Sequence, residues 1–248
     1  MMPLLPRATL GAGAILRWHL VDPWLPAFGR DPAGLLDVGC GRGEYVARLA
    51  RRFPSARRVV GVDRAGRDGV TRFAPVPPDV ESRVVLREAE FSSEIVLDVG
   101  PFDGVVCVDV LEHVADDARF LADLATVVRP RGRAIVHVPA SPQRHPIGWT
   151  RRELERMLLD GSGEHVREGY TREGIARLLR ESGWTISRER ATFGRVAAWW
   201  CDADFYLASR GVHALRALAL PLTVGGALIG RGVGPQRGNG WLFLLERR

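Results

Sequence analysis

The chain has 248 residues, is 46% hydrophobic and carries a formal net charge of +6. That length supports one complete core, so a single domain is expected. Its 35 basic residues are all arginine, scattered or in short pairs such as Arg51-Arg52 and Arg57-Arg58. Without clustered basic residues and interleaved aromatics, no nucleic-acid partner is expected. Cys40, Cys107 and Cys201 are too widely spaced for a zinc site or a disulfide framework. Together they point to a reduced, cytoplasmic setting.

Residues 1–33 read as an N-terminal cap with a short helix over Thr9–His19, and Pro3, Pro6 and Arg17 break any signal-peptide core. A βα alternation follows. Leu35–Val38 is an apolar strand, Gly43–Phe53 an amphipathic helix, and Val59–Val62 a strand closed by Asp63. Residues 64–82 are glycine- and proline-rich, so any helix there is short. Val84–Leu86 and Phe102–Val108 are further strands. The latter is apolar on both parities, as in a sheet covered on both faces. Asp116–Val128 is a helix stopped by Arg129-Pro-Arg-Gly132, with Asp116 and Asp117 as caps. Ala134–Val138 is the fifth strand, Arg172–Ser182 a helix, Trp184–Arg190 the sixth strand and Trp241–Glu246 the last. Strands alternating with helices imply a doubly wound, mostly parallel α/β sheet, whose ligands bind at the carboxyl ends of the strands.

The stretch LLDVGCGRGEYVARLA carries the sharpest signal. Gly39, Gly41 and Gly43 form a turn that lets backbone approach a ligand and aims amides at an anion. The spacing is G-x-G-x-G. The third-glycine position of a dinucleotide fingerprint holds Glu44, and a P-loop lysine is absent. Asp37, two residues before the first glycine, repels a pyrophosphate but accepts from an ammonium group. A ligand with both ammonium and carboxylate, such as the methionine part of S-adenosylmethionine, suits that arrangement. Asp63, closing VVGVDR, can take both ribose hydroxyls.

With LREAEF, FDGVVCVDVLEHV and VVRPRGRAIVHVP added, residues 34–140 resemble the class I S-adenosylmethionine-dependent methyltransferases, in domains of the type 11/12 kind. The resemblance implies a Rossmann-like, seven-stranded sheet with the last strand antiparallel. It implies that Asp37, Gly39, Cys40, Gly41 and Gly43 hold the methionine end, Asp63 the ribose, and Arg64 a flank of the adenine. Glu88-Ala89 stands where the family often has Asp-Ala, and the Val108-Asp109 backbone would lie beside the sulfonium.

Transfer from an activated sulfonium needs orientation and removal of the acceptor's proton. His113 in VLEHV is the expected base, with Glu112 orienting it and no metal ligand set beside it. PASPQRHPIGWT reads as a loop over the acceptor, with prolines against a helix. His145 and Trp149 there, and His165 and Tyr170 in GEHVREGYT, are candidate acceptor contacts, and Thr171 caps the next helix. Residues 141–194 thus form the acceptor loop and last helix–strand unit, 195–238 an insertion, and 239–248 the final strand. The insertion reads either as a helical hairpin on the core or as a lid with peripheral membrane contact through 199–230 at the inner membrane surface. The tail is similar to a bacterial subgroup associated with cell-envelope and glycan chemistry. Three readings stay open at this point. One is O-methylation of a small-molecule, lipid-linked or glycan-linked acceptor, yielding S-adenosylhomocysteine. The others are C-methylation of an aromatic or quinone-type acceptor, and a cofactor-binding regulatory protein.

Overall fold

The computed structural model describes residues 12–64, 73–96, 98–149, 152, 165–229 and 238–248. Residues 1–11 of the cap, 65–72 of the stretch 64–82, the start of GEHVREGYT and 230–237 of the insertion lie outside them. Seven strands run β1 (Gly34–Val38), β2 (Arg58–Asp63), β3 (Val84–Glu88), β4 (Phe102–Val108), β5 (Val128–Pro139), β6 (Trp184–Thr192) and β7 (Gly240–Arg247). They form one sheet in the order β3-β2-β1-β4-β5-β7-β6. All neighbours pair parallel except β7, which is antiparallel to both β5 and β6.

Alternate residues of a strand face opposite sides of the sheet, and that explains the apolar runs. Leu35, Val59, Val106 and Ile135 face one core, shared with α1 (Ala12–Val21) and α2 (Glu44–Arg52). Leu36, Val60, Val105 and Val136 face the other, shared with α3 (Asp117–Val127) and α4 (Arg172–Glu181). Side-chain caps fix both helices of the second layer. Asp116 accepts from the Arg119 amide at 3.0 Å, and Thr171 accepts from the Gly174 amide at 3.1 Å. Each such cap is worth about 1 kcal/mol.

Several elements differ from the sequence reading. α1, described from Ala12, passes His19 to Val21, the expected start at Thr9 lying outside the described residues, and a 3-10 turn over Asp22–Phe28 continues it, with proline allowed in its first turn. β3 runs on to Glu88, where Asp63 pairs with it. β5 begins at Val128 rather than Ala134. Val128 pairs with Phe102 and pairing resumes at Gly104–Arg133, so Arg129–Gly132 bulge out of register. A bulge tolerates Pro130, which has no amide to donate. In the 141–149 loop, helical backbone begins at Gly148, beyond the last proline.

The insertion holds two helices, α5 (Arg195–Ser209) and α6 (His213–Ile229), packed on each other, with α6 also against α1. Ala197 and Ala227 enter the first core. Leu215, Leu218, Leu222 and Ile229 leave an apolar outer face on α6. Among the described residues, no helix is long and apolar enough to cross a membrane.

Candidate active site

The chain runs β1 to β2 to β3 and then crosses back to β4, so the strand order reverses between β1 and β4. Open α/β sheets bind ligands outside the strand ends at such a point. The glycine turn leaves β1 there, and Asp109 leaves β4. The turn is pinned beneath: the Gly39 and Cys40 amides donate to the Val62 carbonyl at 2.8 and 3.2 Å. Gly39 has φ +73°, and a Cβ on it would lie 2.2 Å from Val110 Cγ2. A Gly39→Ala variant is therefore strained in backbone and in contact, a cost of about 1–3 kcal/mol. We expect a lower Tm together with weaker S-adenosylhomocysteine binding. An unchanged Tm and affinity would show that the turn is not fitted this closely.

Two cavities open at this edge, of about 690 and 700 Å³. The first takes in Asp63, Arg64 and Ala89, with Phe91 and Phe120 as apolar walls. The second takes in Asp37, Cys40, Val108, Glu112, His145 and His165. Gly39, Gly41, Asp109 and His113 line both, so the cavities meet at the glycine turn and the end of β4. Gly43, φ +84°, lines neither. It starts α2 and packs beside Leu86.

The second cavity is electrostatically ordered. Asp37 is 2% exposed and its Oδ2 has no hydrogen-bond partner among the described residues. Burial and the nearby Asp63 charge push its carboxyl well above the usual range. Asp63 Oδ2 accepts from the Gly41 amide at 2.5 Å. Asp109, in the left-handed region at φ 53°, ion-pairs with Arg17 and takes His137 Nδ1 at 2.5 Å. Against the opposing effect of burial, the Arg17 and His137 charges hold its carboxyl well below the usual range. His137 Nε2 in turn meets Thr192 Oγ1 at 2.8 Å, tying β4, β5 and β6 together. Burial, then the Asp109 charge, pushes Glu112 up to about 8. His113 Nδ1 is buried without a hydrogen-bond partner among the described residues. Its ring stands edge-on to His165, with centroids 4.4 Å apart. His145 Nδ1 lies 3.0 Å from Asp202 Oδ1.

Five sequence expectations need correction. Tyr170 does not face the acceptor space. Its hydroxyl donates to the Leu111 carbonyl or Asp117 and accepts from Arg167, bracing the turn that carries His113 from behind. Asp117 thus braces Tyr170 while Asp116 alone caps α3. Trp149 packs on Phe205 and Tyr206 of α5 and lines neither cavity. Glu88 is exposed at the end of β3, and Ala89 and Glu90 line the first cavity in its place. Finally, His113 does have companions of metal-ligating type. Glu112, His113 and His165 offer donor atoms within 4.8 Å of one another. Sequence reasoning missed Arg17 and His137 as site residues. The signal was present, a charged or polar group inside the apolar runs AILRWHL and AIVHVP.

Comparison with known proteins agrees with this architecture. The family described as a methyltransferase domain matches residues 16–189. The chain belongs to that family, and its seven-stranded sheet has the class I methyltransferase fold. It is 36% identical over 135 residues to a ubiquinone biosynthesis O-methyltransferase of Aeromonas salmonicida, covering 53% of this chain and 54% of that one. It spans about half the length of the curated relatives it matches. Its fold is shared with a cyclopropane synthase from Mycobacterium tuberculosis, at TM-score 0.62, 19% identity, and 98% and 87% coverage of the two chains. An N-methyltransferase from Bradyrhizobium japonicum, solved with S-adenosylhomocysteine, matches at TM-score 0.55 and 14% identity, over 94% and 87%.

The residues present fit S-adenosylmethionine. The unpartnered Asp37 Oδ2 suits an ammonium group, and open space over Gly41, where a Cβ would meet nothing within 4 Å, leaves room for close approach.

Proposed function

We propose that this chain transfers a methyl group to an oxygen of a small, lipid-linked or glycan-linked acceptor. The observation that carries the reading is the position of His113, which lines both cavities and whose Nδ1 has no hydrogen-bond partner among the described residues. When bound, S-adenosylmethionine supplies an electrophilic methyl on sulfur. In this reading Asp37 and the glycine turn hold the amino-acid end and Asp63 the ribose. Arg17 and His137 hold Asp109 in its left-handed conformation, which fixes the backbone at the end of β4. His113 receives the acceptor proton as the oxygen–carbon bond forms and the sulfur–carbon bond breaks. His165 packs on the His113 ring and fixes its plane, and His145 meets the acceptor further out. Glu112, protonated at neutral pH, adds no competing negative charge. The apolar outer face of α6, beside a cavity walled partly by Phe205 and Ala208 of α5, supports a lipid-linked member of this class.

The test is incubation with S-adenosylmethionine and a panel of phenolic, hydroxy-acid and lipid-linked acceptors, followed by mass and position analysis of the product. An O-methylated product is expected. A product methylated only at carbon or nitrogen would overturn the assignment to oxygen.

A further inference from the structure

The acceptor cavity does not end at His145. An outer hollow of about 500 Å³ shares Gln143, His145, Phe193, Ala198 and Asn239 with it. The rest of its lining is Arg144, Pro146, Arg195 and Gly238. No described carboxylate lines this hollow, whereas the inner cavity holds Asp37, Glu112, Asp202 and Asp204. The hollow's described charged side chains are therefore all arginine, whereas the inner cavity's acids stand beside Arg17, Arg42 and Arg216.

The two arginines are placed and uncommitted. Arg17, Arg87, Arg172 and Arg216 each pair with an acid. The guanidiniums of Arg144 and Arg195 are exposed and have no partner among the described residues. Arg144 is nevertheless fixed by its backbone. Its amide donates to Asn239 Oδ1 at 2.9 Å, and Asn239 Nδ2 donates to its carbonyl at 2.7 Å. Arg195 is the first residue of α5. That helix has no side-chain cap and no acid in its first turn, so its free amides add positive potential at the same rim. His145 contributes a buried Nε2 without a hydrogen-bond partner among the described residues, on a ring held by Asp202.

We propose that this outer hollow binds an oxyanion, a carboxylate or a phosphate, carried by the acceptor at the end remote from the methylated atom. Arginine matches either group with paired N–H donors. The proposal rests on the reading of the inner cavity as the acceptor site. It makes the acceptor elongated and anionic, with its anionic end at the rim where the described charged side chains are Arg144 and Arg195.

The experiment uses the full chain saturated with S-adenosylhomocysteine. Inorganic phosphate and acetate are titrated separately while the arginine Nε–Hε NMR signals are followed. Two signals should shift saturably, one absent in Arg144→Ala and the other in Arg195→Ala. The double variant should bind the ion about tenfold or more weakly, the loss expected for charge-assisted hydrogen bonds. Its affinity for S-adenosylhomocysteine should not change. Both side chains are exposed, so these substitutions leave the cores intact. Tighter phosphate supports a phosphorylated acceptor, and tighter acetate a carboxylate. The absence of saturable shifts with either ion, or equal affinity in the double variant, overturns the proposal while the cofactor site stands. Failure of the wild type to bind S-adenosylhomocysteine overturns the inner-cavity reading and this one with it.

Discussion

His113→Ala lowers kcat by about 10²- to 10⁴-fold, the usual contribution of a positioned general base, and leaves S-adenosylhomocysteine affinity within a few-fold. The split follows from placement. His113 lines both cavities, while the groups proposed to hold the amino-acid end and the ribose come from β1, the glycine turn and β2. Steady-state kinetics with an acceptor that the panel yields, beside a cofactor titration, checks both halves. A variant with normal kcat would remove His113 from the chemistry. Glu112 adds a pH signature. Its folded pKa of about 8 lies above the ordinary glutamate value of 4.5. Its contribution to stability is therefore fully present below about 4.5 and is lost as pH rises through about 8. Glu112→Gln keeps the neutral form, so turnover at neutral pH should persist while the loss of stability between about pH 4.5 and 8 shrinks. Thermal melts across that window measure it.

Asp37→Asn is expected to move two quantities in opposite directions. It removes one partner of a buried charge pair with the cofactor's ammonium, which costs about 2–5 kcal/mol of binding. It also removes a carboxylate whose ionised form the ligand-free fold disfavours. Tm without ligand should therefore rise while affinity for S-adenosylhomocysteine collapses. The raised pKa sets the linkage. The ammonium needs the carboxylate, so binding releases a proton from whatever fraction of Asp37 is protonated, and affinity falls as pH is lowered through its ligand-free pKa. Calorimetry in buffers of different ionisation heat detects that proton in the wild type and not in the variant. Equal affinities for the two proteins would contradict the assignment of Asp37 to the ammonium.

The sheet and the cofactor turn were legible because their signals are local. Leu35 and Leu36 are both apolar because each faces its own core. The glycine spacing after Asp37 states a turn, an amide cradle and a nearby acid within seven residues. The acceptor side was less legible because it is assembled from distant segments. Tyr170 reads as a site aromatic next to His165, yet its partners Leu111 and Asp117 lie more than fifty residues away and draw it behind the His113 turn. Arg17 reads as a charge interrupting an apolar helix, and its role appears only when α1 lies across Asp109. Trp149 reads as a loop aromatic, but α5 supplies ring partners that take it out of the cavity. The gathering of Glu112, His113 and His165 likewise depends on a loop closure that no spacing encodes.

The central claim is that the edge formed by Asp37, the glycine turn and Asp63 is a working cofactor site. Isothermal titration of S-adenosylhomocysteine into wild type and Asp63→Ala tests it most directly. We predict one site per chain in the wild type, weakened by about 1–3 kcal/mol in the variant, the cost of an unmade buried polar contact. No binding to the wild type would contradict the account and leave the glycine turn as scaffold alone.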